Sequence, residues 1–302
     1  MPPDAFDAAI VGGGPAGLSA ALTLARAGRR TVVFDAGAPR NAPAAHSHGF
    51  LTRDGTPPAE LRRLGRAEVE GYGGTIREAE VAGAARTDGG FRLTTADGGD
   101  VTARVLILAT GVVDELPGIP GLAGAWGRSA VHCPYCHGHE HRGKPTALLG
   151  RGDTTFDEAR LLLGWTDDLT VVTNGPEDLD DAQEAALAAE GVRIVRTRIA
   201  RLRAPGGQVE AVVFEDGTEI PCGVFYVQPP QRPHSDLAAR LGAALDADGY
   251  PEVEAYGRTA VPGLFVVGDV TGKPQTVAAA VAEGALAGMA ANYELVVGPQ
   301  ES

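Results

Sequence analysis

Apolar residues along the chain gather in short unbroken runs, each closed by glycine or an acid and several followed by a helical repeat. Phe6 to Val11 is the first run; Gly12-x-Gly14-x-x-Gly17 follows it, and Leu18, Ala21, Leu22 and Ala25 then recur at helical spacing up to Gly28. That order predicts a strand, a tight turn and a helix. A second run, Thr31 to Phe34, ends in Asp35, twenty-three residues after Gly12. A dinucleotide-binding βαβ unit has an acid at that place to meet a ribose hydroxyl. Gly12 then makes the turn, Gly14 lets backbone approach a pyrophosphate, and Gly17 lets helix and strand pack closely.

Short strands with turns at Asp88-Gly89-Gly90 and Asp97-Gly98-Gly99 predict a β-meander between Gly71 and Val105. Val105 to Ala109 reads as a buried strand ended by Thr110-Gly111, and Pro117, Pro120 and Gly121 as a linker. A second βαβ pattern follows: a strand over Thr146 to Leu149, a turn over Gly150-Arg151-Gly152-Asp153-Thr154-Thr155, a helix over Phe156 to Leu163 and a strand over Leu169 to Thr173. Thr155 stands where the third small residue of the motif belongs. No Lys or Arg occurs from Thr170 to Glu190, whereas Glu177, Asp178, Asp180, Asp181 and Glu184 do, so a nucleotide 2′-phosphate would meet repulsion there. Val224 to Val227 is another buried run, Gln228 to Pro233 a proline-rich crossing, and Gly263 to Asp269 a strand before an alanine-rich helix over Gln275 to Leu295. The chain ends rebuild the first domain. The expected class is α/β, with two Rossmann-like nucleotide-binding domains of three-layer ββα build. The first, over 1–115 and 245–302, is discontinuous, and the second, over 116–244, is inserted into it.

A length of 302 residues suits two domains, and 44% hydrophobic with 22% charged residues is ordinary globular composition. A net charge of −13 disfavours nucleic acid and anionic lipid as partners. Ala8 to Ala25 is uncharged enough to suggest a membrane span, but Gly12-Gly13-Gly14-Pro15 interrupts it and Asp4 and Asp7 precede it. A cytoplasmic protein is expected, with neither membrane nor nucleic acid as a partner.

Three cysteines argue against structural disulfides. Cys133 and Cys136 form a Cys-Pro-Tyr-Cys pair within a segment that also holds His132, His137, His139 and His141, four of the seven histidines. A zinc site lacks a second Cys-x-x-Cys, and a c-type haem site would need export. A redox-active dithiol accounts best for the spacing, because neighbouring imidazole and thiol can lower one cysteine's pKa into a working range. No metal is expected. Cys222 enters a buried strand and reads as core. His46 and His48 follow the first acid-tipped strand, where a solvated loop and an approach to a cofactor both remain open.

Gly12-x-Gly14-x-x-Gly17, Ala109-Thr110-Gly111, Cys133-x-x-Cys136 between two nucleotide folds, and Gly268-Asp269 before an alanine-rich helix resemble the small thioredoxin reductase class of flavin disulfide oxidoreductases. The resemblance covers nearly the whole chain. His137 stands where that class carries an aspartate, the pair encloses Pro-Tyr, and Thr173-Asn174-Gly175 replaces the arginine-rich NADPH motif. These departures resemble the dithiol oxidase branch of gliotoxin, holomycin and romidepsin biosynthesis. The resemblance implies FAD, a homodimer, and disulfide formation in a small-molecule dithiol with molecular oxygen as acceptor and hydrogen peroxide as product. It makes Cys133 the interchange thiol, Cys136 the flavin-proximal one and His137 the acid/base, with His132 a second candidate. Gly12, Gly14, Pro15, Ala16, Gly17, Asp35, Ala36, Arg40, Asn41, His48, Ala109, Thr110, Gly111, Gly268, Asp269, Gln275, Thr276 and Val277 are the implied FAD contacts. NAD(P)H is a doubtful second cofactor, and a reductase running from NADPH to thioredoxin or a small disulfide is the alternative.

Overall fold

The structure is a computed structural model that describes residues 4–150, 152–175, 179–272 and 274–298. Two compact units emerge: 1–42, 49–113 and 231–302 form the first, 43–48 and 114–230 the second.

In the first unit, strand Ala5–Val11 pairs in parallel with Thr31–Phe34 and with Asp100–Leu108. Alternation of the pleat divides this sheet's side chains between two cores. Ala9, Val11 and Phe34 join one; Ala8, Ile10 and Val33 join the other, beneath helices Pro15–Arg26 and Val277–Val297. The strand Asp100–Leu108 changes partner along its length. Its start pairs antiparallel with Gly90–Thr95 and its end in parallel with Leu264–Val266. The expected meander is therefore an extension of the main sheet, and Thr75–Arg77 is a parallel edge strand beside Thr31–Phe34. Helix Pro58–Gly71 precedes it and was not among the expected elements, although Leu61, Leu64 and Val69 recur along it at near-helical spacing.

The second unit has a five-stranded parallel sheet in the order Arg193–Val195, Leu169–Val172, Thr146–Leu149, Val224–Tyr226, Ala130–Val131. One face packs on helices Thr155–Leu162 and Asp181–Ala189 through Leu148, Ala159, Leu162 and Leu187. The other packs on the antiparallel strands Ile199–Arg203, Ala211–Phe214 and Glu219–Pro221 through Ala147, Phe225, Leu202 and Val212. This is the expected ββα layering. The segment around Pro117 is no free linker, because Ile119 and Leu122 are buried in this unit's core.

Return to the first unit comes at Gln231, earlier than the expected 245. The reason is packing: Gln231–Pro233 pairs with Val112–Asp114, and Leu237, Ala238, Leu241 and Ala243 are buried in the first unit's core. The long helix starts at Val277, two residues late, because the Thr276 hydroxyl accepts from the Ala279 amide as its N-cap. Among the described residues, no helix is long and apolar enough to cross a membrane.

Candidate active site

In the first unit the glycine turn is built around close backbone contacts. A Cβ on Gly17 would stand 1.9 Å from the Gly12 carbonyl oxygen, and one on Gly12 would stand 2.2 Å from that of Ala109. Gly14, by contrast, faces open space. It caps helix Pro15–Arg26 without a side-chain bond, and the helix has no acid in its first turn. Free amides at the positive end of a helix dipole form an anion site, so the cradle fits the pyrophosphate of FAD.

Asp35 lies against Gly13 at the end of Thr31–Phe34, buried. Its Oδ1 accepts from the Gly37 amide at 2.9 Å and its Oδ2 from Arg62 Nη2 at 2.7 Å. Burial alone would raise its pKa, but Arg62, the Gly37 amide and Arg66 together hold it below the usual carboxylate range. Arg40 Nη1 donates to Asp269 Oδ2 at 3.0 Å and to Gln275 Oε1 at 2.6 Å, and Gln275 Nε2 donates to Gln231 Oε1. The Gly268 amide donates to Glu283 Oε2 at 2.8 Å, which ties the Gly268-Asp269 turn to the long helix. Ala36 is exposed and Asn41 half-buried. Gly111 accepts from the His234 amide, beside Ala109 and Thr110. The structure thus brings Arg40, Asp269 and Gln275 together, and Asp35 with Gly13. His48 falls within the second unit. Arg62, Arg66 and Glu283 escaped the sequence reading.

In the second unit, Ala130–Val131 leads into the short helix Pro134–His137, with Cys133 as its N-cap. Cys133 and Cys136 are joined as a disulfide. The Cys136 amide donates to Cys133 Sγ at 3.1 Å, a bond that favours negative charge on Cys133 once the pair is reduced. Gln228 Nε2 donates to the His132 carbonyl at 2.8 Å, fixing the approach to the turn, and His132 stacks on Trp126 at 5.7 Å.

A group of polar side chains, buried or half-buried apart from the exposed Glu140, belongs to the same unit as the pair. Burial, reinforced by the neighbouring His48, holds the His137 imidazole below the usual histidine range, against weaker opposing effects of Glu140 and the Cys133 backbone. His137 Nδ1 is buried without a hydrogen-bond partner. Glu140 Oε1 lies 3.6 Å from His48 Nδ1, an ion-pair distance too long for a hydrogen bond. Tyr226 is 3% exposed and its hydroxyl has no hydrogen-bond partner; burial and then Glu140 push it up to about 12. His141 lies 3.1 Å from Lys144 Nζ, and burial followed by that cation lowers it to about 4. Glu140 therefore acts on every member of the group. Neither it nor Tyr226 stood out in the sequence, because the fold brings them together from a loop and a strand end.

The second βαβ turn differs from the first. Gly152–Thr154 forms a 3-10 turn that runs directly into helix Thr155–Leu162, whose first turn carries Asp157 and Glu158. Thr155 is 3% exposed and its hydroxyl donates to the Gly152 carbonyl. At the next strand end, Asn174 Oδ1 accepts from the Ile199 amide, and Asp180 caps helix Asp181–Ala189. Glu184 is paired with Arg196. Arg151, Glu177 and Asp178 lie outside the described residues. The acidity expected at this edge is thus partly neutralised by Arg196, which follows strand Arg193–Val195.

The family described as pyridine nucleotide-disulphide oxidoreductase matches residues 6–284. The chain is 35% identical to thioredoxin reductase tcpT of Claviceps purpurea, over 96% of this chain and 94% of that one. It is also 35% identical to thioredoxin reductase sirT of Leptosphaeria maculans, over 97% and 95%. The crystal structure of HlmI superposes with a TM-score of 0.92 at 37% identity, covering 97% of this chain and 93% of that one. Membership of this family implies a flavin cofactor, in agreement with the first unit's cradle. The chain belongs to the pyridine nucleotide-disulphide oxidoreductase family and is a thioredoxin reductase-like flavin thiol-disulfide oxidoreductase.

Proposed function

We propose that the protein is an FAD-dependent dithiol oxidase that closes a disulfide in a small-molecule natural-product dithiol, with oxygen as acceptor and hydrogen peroxide as product. The observation that carries this reading is the second βαβ turn. Thr155 fills the place of the motif's third small residue, and two acids occupy the helix turn that a dinucleotide pyrophosphate would face. A site of that kind supports an electron donor other than a nicotinamide.

His137 is neutral at neutral pH and takes the proton of a substrate thiol, Nδ1 being the ring nitrogen without another partner. The substrate sulfur attacks Cys133 Sγ; a substrate–Cys133 disulfide forms as the Cys133–Cys136 bond breaks, and Cys136 carries away the electron pair as thiolate. The second substrate thiol gives up its proton and attacks the mixed disulfide at the substrate's own sulfur, releasing Cys133, whose charge the Cys136 amide stabilises. The substrate leaves oxidised by two electrons and the pair is reduced by two. FAD, held by Gly12, Gly14, Gly17, Asp35, Arg40, Asp269 and Gln275, supplies the two-electron relay from the reduced pair to oxygen. The balance is one dithiol and one O2 to one cyclic disulfide and one H2O2.

Thioredoxin or small-disulfide reduction by NADPH is the second reading, supported by the names of the relatives. Aerobic turnover separates the two. With dithiothreitol as substrate and no nicotinamide added, the oxidase reading predicts oxygen uptake, disulfide and peroxide in equal amounts. Peroxide formation only when NADPH is present would overturn it.

A further inference from the structure

Between the two cysteines stands Tyr135, 70% exposed. Its ring meets the Trp165 ring edge to face, with centroids 5.5 Å apart and planes at 88°. Glycine at 138 permits this arrangement, because a Cβ there would lie 2.7 Å from Trp165 Cδ1. Trp165 is itself fixed: its amide donates to the Leu162 carbonyl, and the next residue, Thr166, is buried with its hydroxyl on the Lys144 carbonyl. Tyr135 is thus a braced ring with most of its surface in water. The run from His132 to Gly138 contains no Asp, Glu, Lys or Arg, so nothing on it selects for a charged partner.

We propose that Tyr135, braced by Trp165, selects dithiols that carry a flat, uncharged ring, the ring resting on Tyr135 while a sulfur exchanges at Cys133. The inference rests on the dithiol oxidase reading and adds a substrate class to it. Tyr135 follows Cys133 by two residues, so their Cα atoms are at most about 7 Å apart, and a dithiol whose sulfur exchanges at Cys133 has its carrier within reach of this ring. A stacked or edge-on second ring is the contact that an exposed, oriented aromatic offers beyond area burial. Tyr135 is the specificity residue; Trp165 and Gly138 position it.

The test compares 1,2-benzenedimethanethiol with 1,4-butanedithiol, both of which close six-membered cyclic disulfides. The unmodified protein should favour the ring-bearing dithiol in kcat/KM, chiefly through KM. In Tyr135→Ala that preference should fall about three- to tenfold, and Tyr135→Phe should restore it. Equal kcat/KM for the two dithiols in the unmodified protein, or an unaltered preference in Tyr135→Ala, overturns the proposal while leaving the oxidase reading intact. If neither dithiol turns over, the oxidase reading fails, and binding then decides the surface. The cyclic disulfide of benzenedimethanethiol should quench Trp165 emission saturably in a Trp126→Phe background and lose that effect on adding Tyr135→Ala. Absence of saturable quenching, or quenching indifferent to Tyr135, overturns it.

Discussion

The two βαβ units share a plan and differ at the turn. In the first, helix Pro15–Arg26 begins at an uncapped glycine with no acid in its first turn, and at Gly12 and Gly17 there is no room for a side chain. In the second, a 3-10 turn replaces the open glycine, Thr155 takes the place of the packing glycine, and Asp157 and Glu158 stand in the first turn. A helix N-terminus attracts phosphate through free amides and a positive dipole end, and carboxylates placed there use up the same field. The second unit keeps the sheet and helices of a nucleotide fold while its anion site is weakened. It also carries Cys133 and Cys136.

The largest expected contrast is steric. Gly17→Ala puts a methyl 1.9 Å from a backbone oxygen that cannot yield, and should weaken FAD binding by about a hundredfold, equivalent to about 2.7 kcal/mol of overpacking. Gly150→Ala puts one 3.3 Å from the Thr155 side chain, and should change FAD binding less than about threefold. Fluorescence titration of the stripped protein with FAD measures both. Next is His137→Ala, expected to lower dithiol oxidation about a hundredfold at pH 7. The deficit should shrink towards pH 9, as thiols of pKa about 8.5 ionise unaided. Because burial and His48 hold His137 below the usual histidine value, the unmodified enzyme should keep its rate as pH falls past 6.5 and lose it only below; a pH–rate profile shows this.

A smaller effect belongs to Arg62. Arg62→Gln removes the strongest influence holding Asp35 low, and should weaken FAD binding about tenfold, as loss of a charge-assisted bond does. Asp35 has a depressed folded pKa, so its contribution to stability is present above the unfolded value and lost as pH falls through the folded one. In Arg62→Gln that loss should begin at higher pH, visible in acid unfolding followed by circular dichroism. The smallest is Asp157→Asn, which removes one carboxylate from the second helix's first turn. Calorimetric titration with ADP should show about threefold tighter binding, and unchanged binding would mean that the acid is not what distinguishes the turns.

Both βαβ units were legible because a buried parallel strand is a continuous apolar run and its turn is written in glycine. The dithiol was legible as a cysteine pair in a histidine-rich segment. Its surroundings were not. Tyr226 comes near this segment because it pairs in register with Val131, two residues before Cys133, and Glu140 acts on both Tyr226 and His137. Arg62 reaches Asp35 from helix Pro58–Gly71, whose apolar positions Leu61 and Leu64 are only half-buried. Leu237 to Ala243 read as part of the inserted domain until the strand pairing of Gln231–Pro233 returned them to the first core. Periodicity reports which face of an element is buried; it is silent on which distant element covers that face.

The central claim is that electrons enter through the cysteine pair and not through the second βαβ unit. Anaerobic reduction tests it directly: the flavin absorbance of the purified holoenzyme is followed after separate additions of dithiothreitol, NADPH and NADH, and air is then admitted. The account predicts bleaching by dithiothreitol, recovery in air with release of peroxide, and no response to either nucleotide. Rapid bleaching by NADPH or NADH would contradict it and make the second unit a working nicotinamide site.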